Sequence, residues 1–215
     1  MILTDKPPTT SNSGSPSSPA PSGSGIAKTC RARPTPPLLW KTMDRIAIIG
    51  CGGSGKSTIA RQLAQILDAP LTHLDAIYYD EQWNPLPQKE FAAKQEELVT
   101  SKRWIIEGNY AGTLPIRLTT ADTVIFLDLP AATCLWGIAQ RRRHYQGGQH
   151  QADGVYDRIT WDFVRYILGY RRMMRPRVRN LIREHGRHVR LISVTSRRQA
   201  NQLLNRIREQ TQPVT

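Results

Sequence analysis

The chain lacks the features that would tie it to a membrane or an oxidising compartment, and it is short of acid. No apolar run approaches the roughly 20 residues that a spanning helix needs. No secretory leader with an apolar centre is visible. The three cysteines, Cys30, Cys51 and Cys134, have no paired spacing and form no metal pattern with the five histidines. A disulfide framework and a zinc site are therefore not expected, and free thiols fit a reducing cytoplasm. Acidic residues number 17 against 30 lysines and arginines. The imbalance is local: residues 43–140 carry about −3, whereas residues 141–215 carry about +12, nearly all of the excess arginine. Such a field suits polyanions, either nucleotide phosphates or nucleic acid, and composition does not choose between them.

Residues 1–42 also lack anything to bury. The stretches Ser11–Pro19 and Pro21–Gly25 are Ser, Pro and Gly of low complexity, so disorder is expected. Met43 directly precedes the first apolar run. The segment is thus either a disordered tail or an extension upstream of a functional start at Met43, with a single domain over 43–215.

What the chain does have is Gly50-Cys51-Gly52-Gly53-Ser54-Gly55-Lys56-Ser57, followed by Thr58, which fits the phosphate-cradling pattern G-x-x-x-x-G-K-[ST]. Before it, Arg45–Ile49 reads as a buried strand. After it, Ile59–Leu67 is apolar at helical spacing. Gly50, Gly52, Gly53 and Gly55 can take positive φ, so that successive N–H groups, those of Ser54 and Thr58 included, curl round an anion at a helix N-terminus. Lys56 would reach the β- and γ-phosphates of ATP, and the Ser57 hydroxyl would take a place on Mg²⁺.

The remainder alternates strand and helix. Strands are expected at 71–74, ending at Asp75, at 103–106, ending in Glu107-Gly108-Asn109-Tyr110, at 123–127, ending in Asp128, and at 188–192. Helices are expected from Pro87, from about Ala131 into Arg141-Arg142-Arg143, from Ile159 through Phe163, Ile167, Tyr170 and Met174, and from a capping box at Ser196–Gln199. Gln146–Asp157 reads as a loop. Five strands alternating with helices give an α/β fold with a parallel sheet covered on both faces.

Ligands in such sheets gather at the carboxyl ends of the strands. Asp75 and Glu107 are both placed there to organise Mg²⁺. Asp128 precedes Pro130 and a helix start, which favours capping. Arg142, with Arg141 and Arg143 beside the glycine-bearing loop, is the candidate to neutralise transferring charge; residues 141–172 have the makings of a lid. Arg117 is a weaker candidate for holding the acceptor. Tyr78, Tyr79 and Trp83 would either stack on a base or cover the pocket. The histidines, including His73, read as ordinary residues, and Trp104, Trp136 and Trp161 as packing.

Taken together, Arg45–Thr58, His73-Leu74-Asp75, Trp104–Tyr110 and Val124–Pro130 resemble the bacterial DNA topology modulation proteins, small P-loop proteins related to adenylate kinase and shikimate kinase. The similarity runs in order from Met43 to Leu204. It implies a P-loop NTPase of the nucleoside monophosphate kinase-like, three-layer kind, with a five-stranded parallel sheet in the order 2-3-1-4-5 and an arginine-bearing lid. It also implies that Asp75 faces the acceptor or metal, with Asn109 and Tyr110 nearby. Where the wider group commonly has Asp-Gly, this chain has Glu107-Gly108, which keeps the charge and shifts it by about a methylene. The expected activity is Mg-dependent transfer of the ATP γ-phosphoryl group to a small acceptor by a monomer or homodimer. The rival is a nucleotide-dependent DNA-binding regulator, supported by the basic carboxyl-terminal half and by the family's name, but without a nucleic-acid-binding motif.

Overall fold

The computed structural model describes residues 43–80, 84–145 and 160–211. The expectations for residues 1–42, for Trp83 and for the loop at 146–157 lie outside the described residues.

β1 (Arg45–Gly50) is the middle strand, and every residue after Arg45 is buried. Its run is continuously apolar because both faces are covered. Ile46 and Ile48 face one core, shared with Leu63 of α1 (Lys56–Leu67) and Leu204 of α7 (Arg197–Thr211). Ala47 and Ile49 face the other, shared with Phe91 of α3 (Gln88–Leu98) and Leu118 of α4 (Leu114–Thr120). Burying one such isoleucine side chain contributes about 1.5–3 kcal/mol, which fixes β1 between its layers.

The sheet has the order β2-β3-β1-β4-β5, all parallel, with β2 (Leu71–His73), β3 (Trp104–Glu107), β4 (Thr123–Leu127) and β5 (Arg190–Val194). Register brings the strand ends level. Glu107 lies opposite both Ile48 and His73, and Gly50 opposite Leu127. The chemistry-bearing residues that follow these ends therefore share one edge.

Several expectations shift. β2 stops at His73, and Asp75 lies in the first turn of a short helix, α2 (Leu74–Tyr78), because Leu74 turns wholly into the core. α4 was not legible as a helix; it is seven residues long with Pro115 second. β5 lies two residues later than its apolar run suggests. The expected capping box is modified at α7: Gln199 N donates to Ser196 Oγ at 3.2 Å, but Gln199 Oε1 accepts from Thr195 N at 2.8 Å. Trp104 is buried as expected, whereas Trp136 of α5 (Ala131–Tyr145) and Trp161 of α6 (Trp161–His185) are 61% and 78% exposed. Among the described residues, no helix is long and apolar enough to cross a membrane.

Candidate phosphotransfer site

Gly50, Gly53 and Gly55 do take positive φ, while Gly52 does not. At Gly53 the requirement is doubled. Its φ is 73°, and a Cβ there would stand 2.2 Å from the Cys134 carbonyl oxygen of α5. From the other side, a Cβ on Gly137 would stand 2.4 Å from the Gly53 oxygen. The loop and α5 thus meet backbone to backbone.

Beyond the loop, Lys56 Nζ donates to the Cys51 carbonyl at 3.2 Å and lies 3.6 Å from Glu107 Oε1. Ser57 Oγ donates to Glu107 Oε2 at 3.2 Å, and His73 Nδ1 lies 2.8 Å from that same oxygen. His73 is therefore part of the site rather than an ordinary residue. Burial raises the Glu107 carboxyl, but the His73 hydrogen bond, the Lys56 charge and the Ser57 hydroxyl outweigh it and hold the group below its usual range. Asp75 is treated oppositely. Burial and then the charge of Glu107 push its carboxyl up, although Tyr110 Oη donates to Asp75 Oδ1 at 2.5 Å.

Asn109 couples this edge to α6. Its Nδ2 donates to Tyr166 Oη at 3.0 Å, and Tyr170 Oη donates to its Oδ1 at 3.2 Å. α6 is held a second time by Asp128, which is 1% exposed and lies 3.8, 2.7 and 3.3 Å from Arg171, Arg175 and Arg179. These arginines are one helical turn apart and so share a face. Asp128 is thus an ion-pair anchor rather than the expected cap: its carboxylate meets the arginines of α6, and α5 opens two residues later, where Cys134 N donates to the Pro130 carbonyl.

A cavity of about 1460 Å³ runs along the edge. Every loop residue named as phosphate-binding lines it, as do Asp75, Glu107, Asn109 and Tyr110. Two expected site residues do not. Arg142 is exposed and does not line the cavity, whereas its neighbours Arg141 and Arg143 do. Arg117 is wholly buried and donates to the Gly108 and Tyr110 carbonyls at 2.7 and 3.2 Å, so its fork supports the backbone that carries Asn109. Sequence reasoning passed over Arg197, which lines the cavity and donates to Gln140 at 2.8 Å, and Phe163, whose ring would be 2.5 Å from a Cβ on Gly52. The glycine at position 52 was the available signal for the second.

Among the described residues, no group of three or more His, Cys, Asp or Glu side chains is arranged to hold a metal. The Ser57–Glu107 pair nevertheless fits Mg²⁺, which takes one or two protein oxygens and completes its shell with phosphate and water.

No protein-family model matches the chain, and no curated protein matches it. Among solved structures, it is similar to shikimate kinase from Acinetobacter baumannii in complex with shikimate, with 18% identity, coverage of 78% of this chain and 92% of that one, and a TM-score of 0.48. It is also similar to an unliganded sugar kinase from Janibacter (17% identity, 75% and 90% covered, TM-score 0.48) and to a gluconokinase from Sinorhizobium meliloti (16%, 79% and 91%, 0.43). The chain itself has five parallel strands in the order 2-3-1-4-5, flanked by helices and with the glycine-rich phosphate-loop pattern after the first strand.

Proposed function

We propose that the protein is a phosphotransferase that binds ATP with Mg²⁺ and passes the γ-phosphoryl group to a small acceptor. The observation that carries this reading is the convergence on one cavity of a P-loop, with Lys56 and Ser57, and two carboxylates, the buried Glu107 and the half-buried Asp75. The amides of the loop and Lys56 would hold the phosphates. Ser57 and Glu107 would hold the metal, which when bound supplies charge neutralisation at the phosphates. His73 orients Glu107 through the same carboxylate oxygen that accepts from Ser57.

Asp75 stands on the acceptor side with Tyr110, and Asn109 sets the position of α6 above it. Arg141, Arg143 and Arg197 reach the cavity from α5 and α7, where a guanidinium can offset charge spreading over the phosphoryl oxygens. This takes the role first sought at Arg142. The acceptor hydroxyl attacks the γ-phosphorus, the bond to the bridging oxygen breaks, ADP leaves, and the hydroxyl proton passes to the Asp75 carboxylate.

The alternative of a DNA-binding regulator is weakened by the α6 arginines that are committed to Asp128. Incubation with ATP, Mg²⁺ and a panel of hydroxylated acceptors should give a phosphorylated product, lost by at least about a hundredfold in Lys56→Ala. ATP binding without product on any acceptor, with or without DNA, would sink the kinase reading.

A further inference from the structure

The cavity is electrostatically lopsided. Toward α5 and α7 it is lined by Arg141, Arg143 and Arg197. Toward β2 and β3 it is lined by Asp75 and Glu107. The cations on this second side are already engaged. Lys56 and His73 sit on Glu107, at 3.6 and 2.8 Å, and the fully buried Arg117 is turned onto backbone carbonyls. Asp75 takes its hydrogen bond from a neutral phenol, Tyr110, and its carboxyl is already pushed up by burial and by Glu107. A negative charge in this corner would meet the Asp75 carboxylate, whose hydrogen-bond partner is a neutral phenol, in a partly dry setting, where repulsion is screened less than in water.

The same corner has aromatic lining. Tyr79 and Tyr110 line the cavity, and Tyr110 is backed by Tyr78 and Phe91, whose rings meet one another and Tyr110 at 53–64° with centroids 4.8 Å apart. Aromatic faces with polar tips suit a ring that is apolar on its face and hydroxylated at its edge.

On the phosphotransferase reading, we propose that the acceptor is an uncharged, polyhydroxylated ring compound of the sugar or nucleoside class, not one bearing a phosphate or carboxylate. Tyr110 uses Oδ1 of Asp75, and Oδ2 accepts the hydroxyl that is to be phosphorylated. The ring lies against Tyr79 and Tyr110, and the Asp75 charge disfavours anionic analogues.

The test uses the full chain with a non-hydrolysable ATP analogue and Mg²⁺. Ligand-observed NMR would measure affinity for matched pairs: nucleosides against their monophosphates, and aldoses against the corresponding aldonates. The neutral member should bind at least about tenfold more tightly. In Asp75→Asn that preference should shrink several-fold as one charge disappears. Tighter binding of the anionic members, or no binding by any neutral member, would overturn the proposal. Turnover measured on the same pairs separates the two claims. Transfer to anionic acceptors alone would leave a kinase with the opposite acceptor class. Neutral binding without transfer would uphold the charge selection and overturn the kinase reading.

Discussion

Two carboxylates facing one cavity, the buried Glu107 and the half-buried Asp75, are held on opposite sides of their ordinary behaviour. A folded-state value above the usual one, as at Asp75, means that the fold is favoured by the proton. That contribution is complete below the unfolded value and is lost as pH rises through the folded one. Asp75→Asn should therefore melt higher than the parent at neutral pH, and the gain should vanish below about pH 3, where the carboxyl is neutral in both folded and unfolded chains. Glu107 runs the other way, contributing stability above its unfolded value that is lost as pH falls through the depressed one. Glu107→Gln should lower the melting temperature at neutral pH, with the loss disappearing in acid. Melting curves of both variants against pH check the pair, and shifts of the same sign would contradict this account. A third substitution at this scale, Gly53→Ala, puts a methyl where a carbonyl stands 2.2 Å away and strains a left-handed φ, at about 1–2 kcal/mol for the backbone alone. It should weaken ATP binding by at least about tenfold in calorimetry. Lys56, Ser57, Asp75 and Glu107 were legible because motif and strand ends name them. His73 was not, since its role exists only through the register that sets it opposite Glu107.

At the scale of elements, α6 is tied to the sheet by polar groups as much as by its apolar face. Asp128→Asn would leave three guanidiniums facing one another without their shared anion. These arginine side chains are 31–45% exposed, so water compensates in part. A cost of about 1–2 kcal/mol is expected, below the several kcal/mol of a fully buried pair. That corresponds to a fall in melting temperature on the order of 5 °C, checked by calorimetry. The helical spacing of Ile167 and Tyr170 announced α6, and Thr160 caps it by accepting from Phe163 N at 3.2 Å. α4 stayed hidden because Arg117, its one basic residue, looked like a surface ligand-binding group. Its complete burial against the Gly108 and Tyr110 carbonyls is a tertiary fact. Trp136 and Trp161 misled for the converse reason, since aromatic character does not say which face of a helix is covered.

For the molecule as a whole, the P-loop joins β1 to α1 and is overlain by α5 and α6, so occupying the cavity should stabilise the entire fold. A nucleotide at a hundred times its dissociation constant contributes about 2.7 kcal/mol to the native state, or a rise of about 5–10 °C for a domain of this size. ATP with Mg²⁺ should produce such a shift in the parent protein and little in Lys56→Ala, as read by thermal melting. The charge asymmetry between residues 43–140 and 141–215 was plain in the sequence, and its partial neutralisation was not. Asp128 belongs to the acidic portion and absorbs arginines of the basic one, so the net count overstates the field offered to a polyanion.

The meeting of Gly53 and Gly137 makes α5 a lever with a fixed point. Neither residue can retreat without moving backbone, so a tilt of α5 pivots there. With a rise of about 1.5 Å per residue, Arg143 stands roughly 9 Å beyond the pivot, and a 10° tilt would carry its backbone about 1.5 Å. That exceeds the tolerance of a hydrogen bond to a phosphoryl oxygen. At that lever ratio, a small rearrangement at the phosphate loop would be enough to engage or release the arginines that line the cavity.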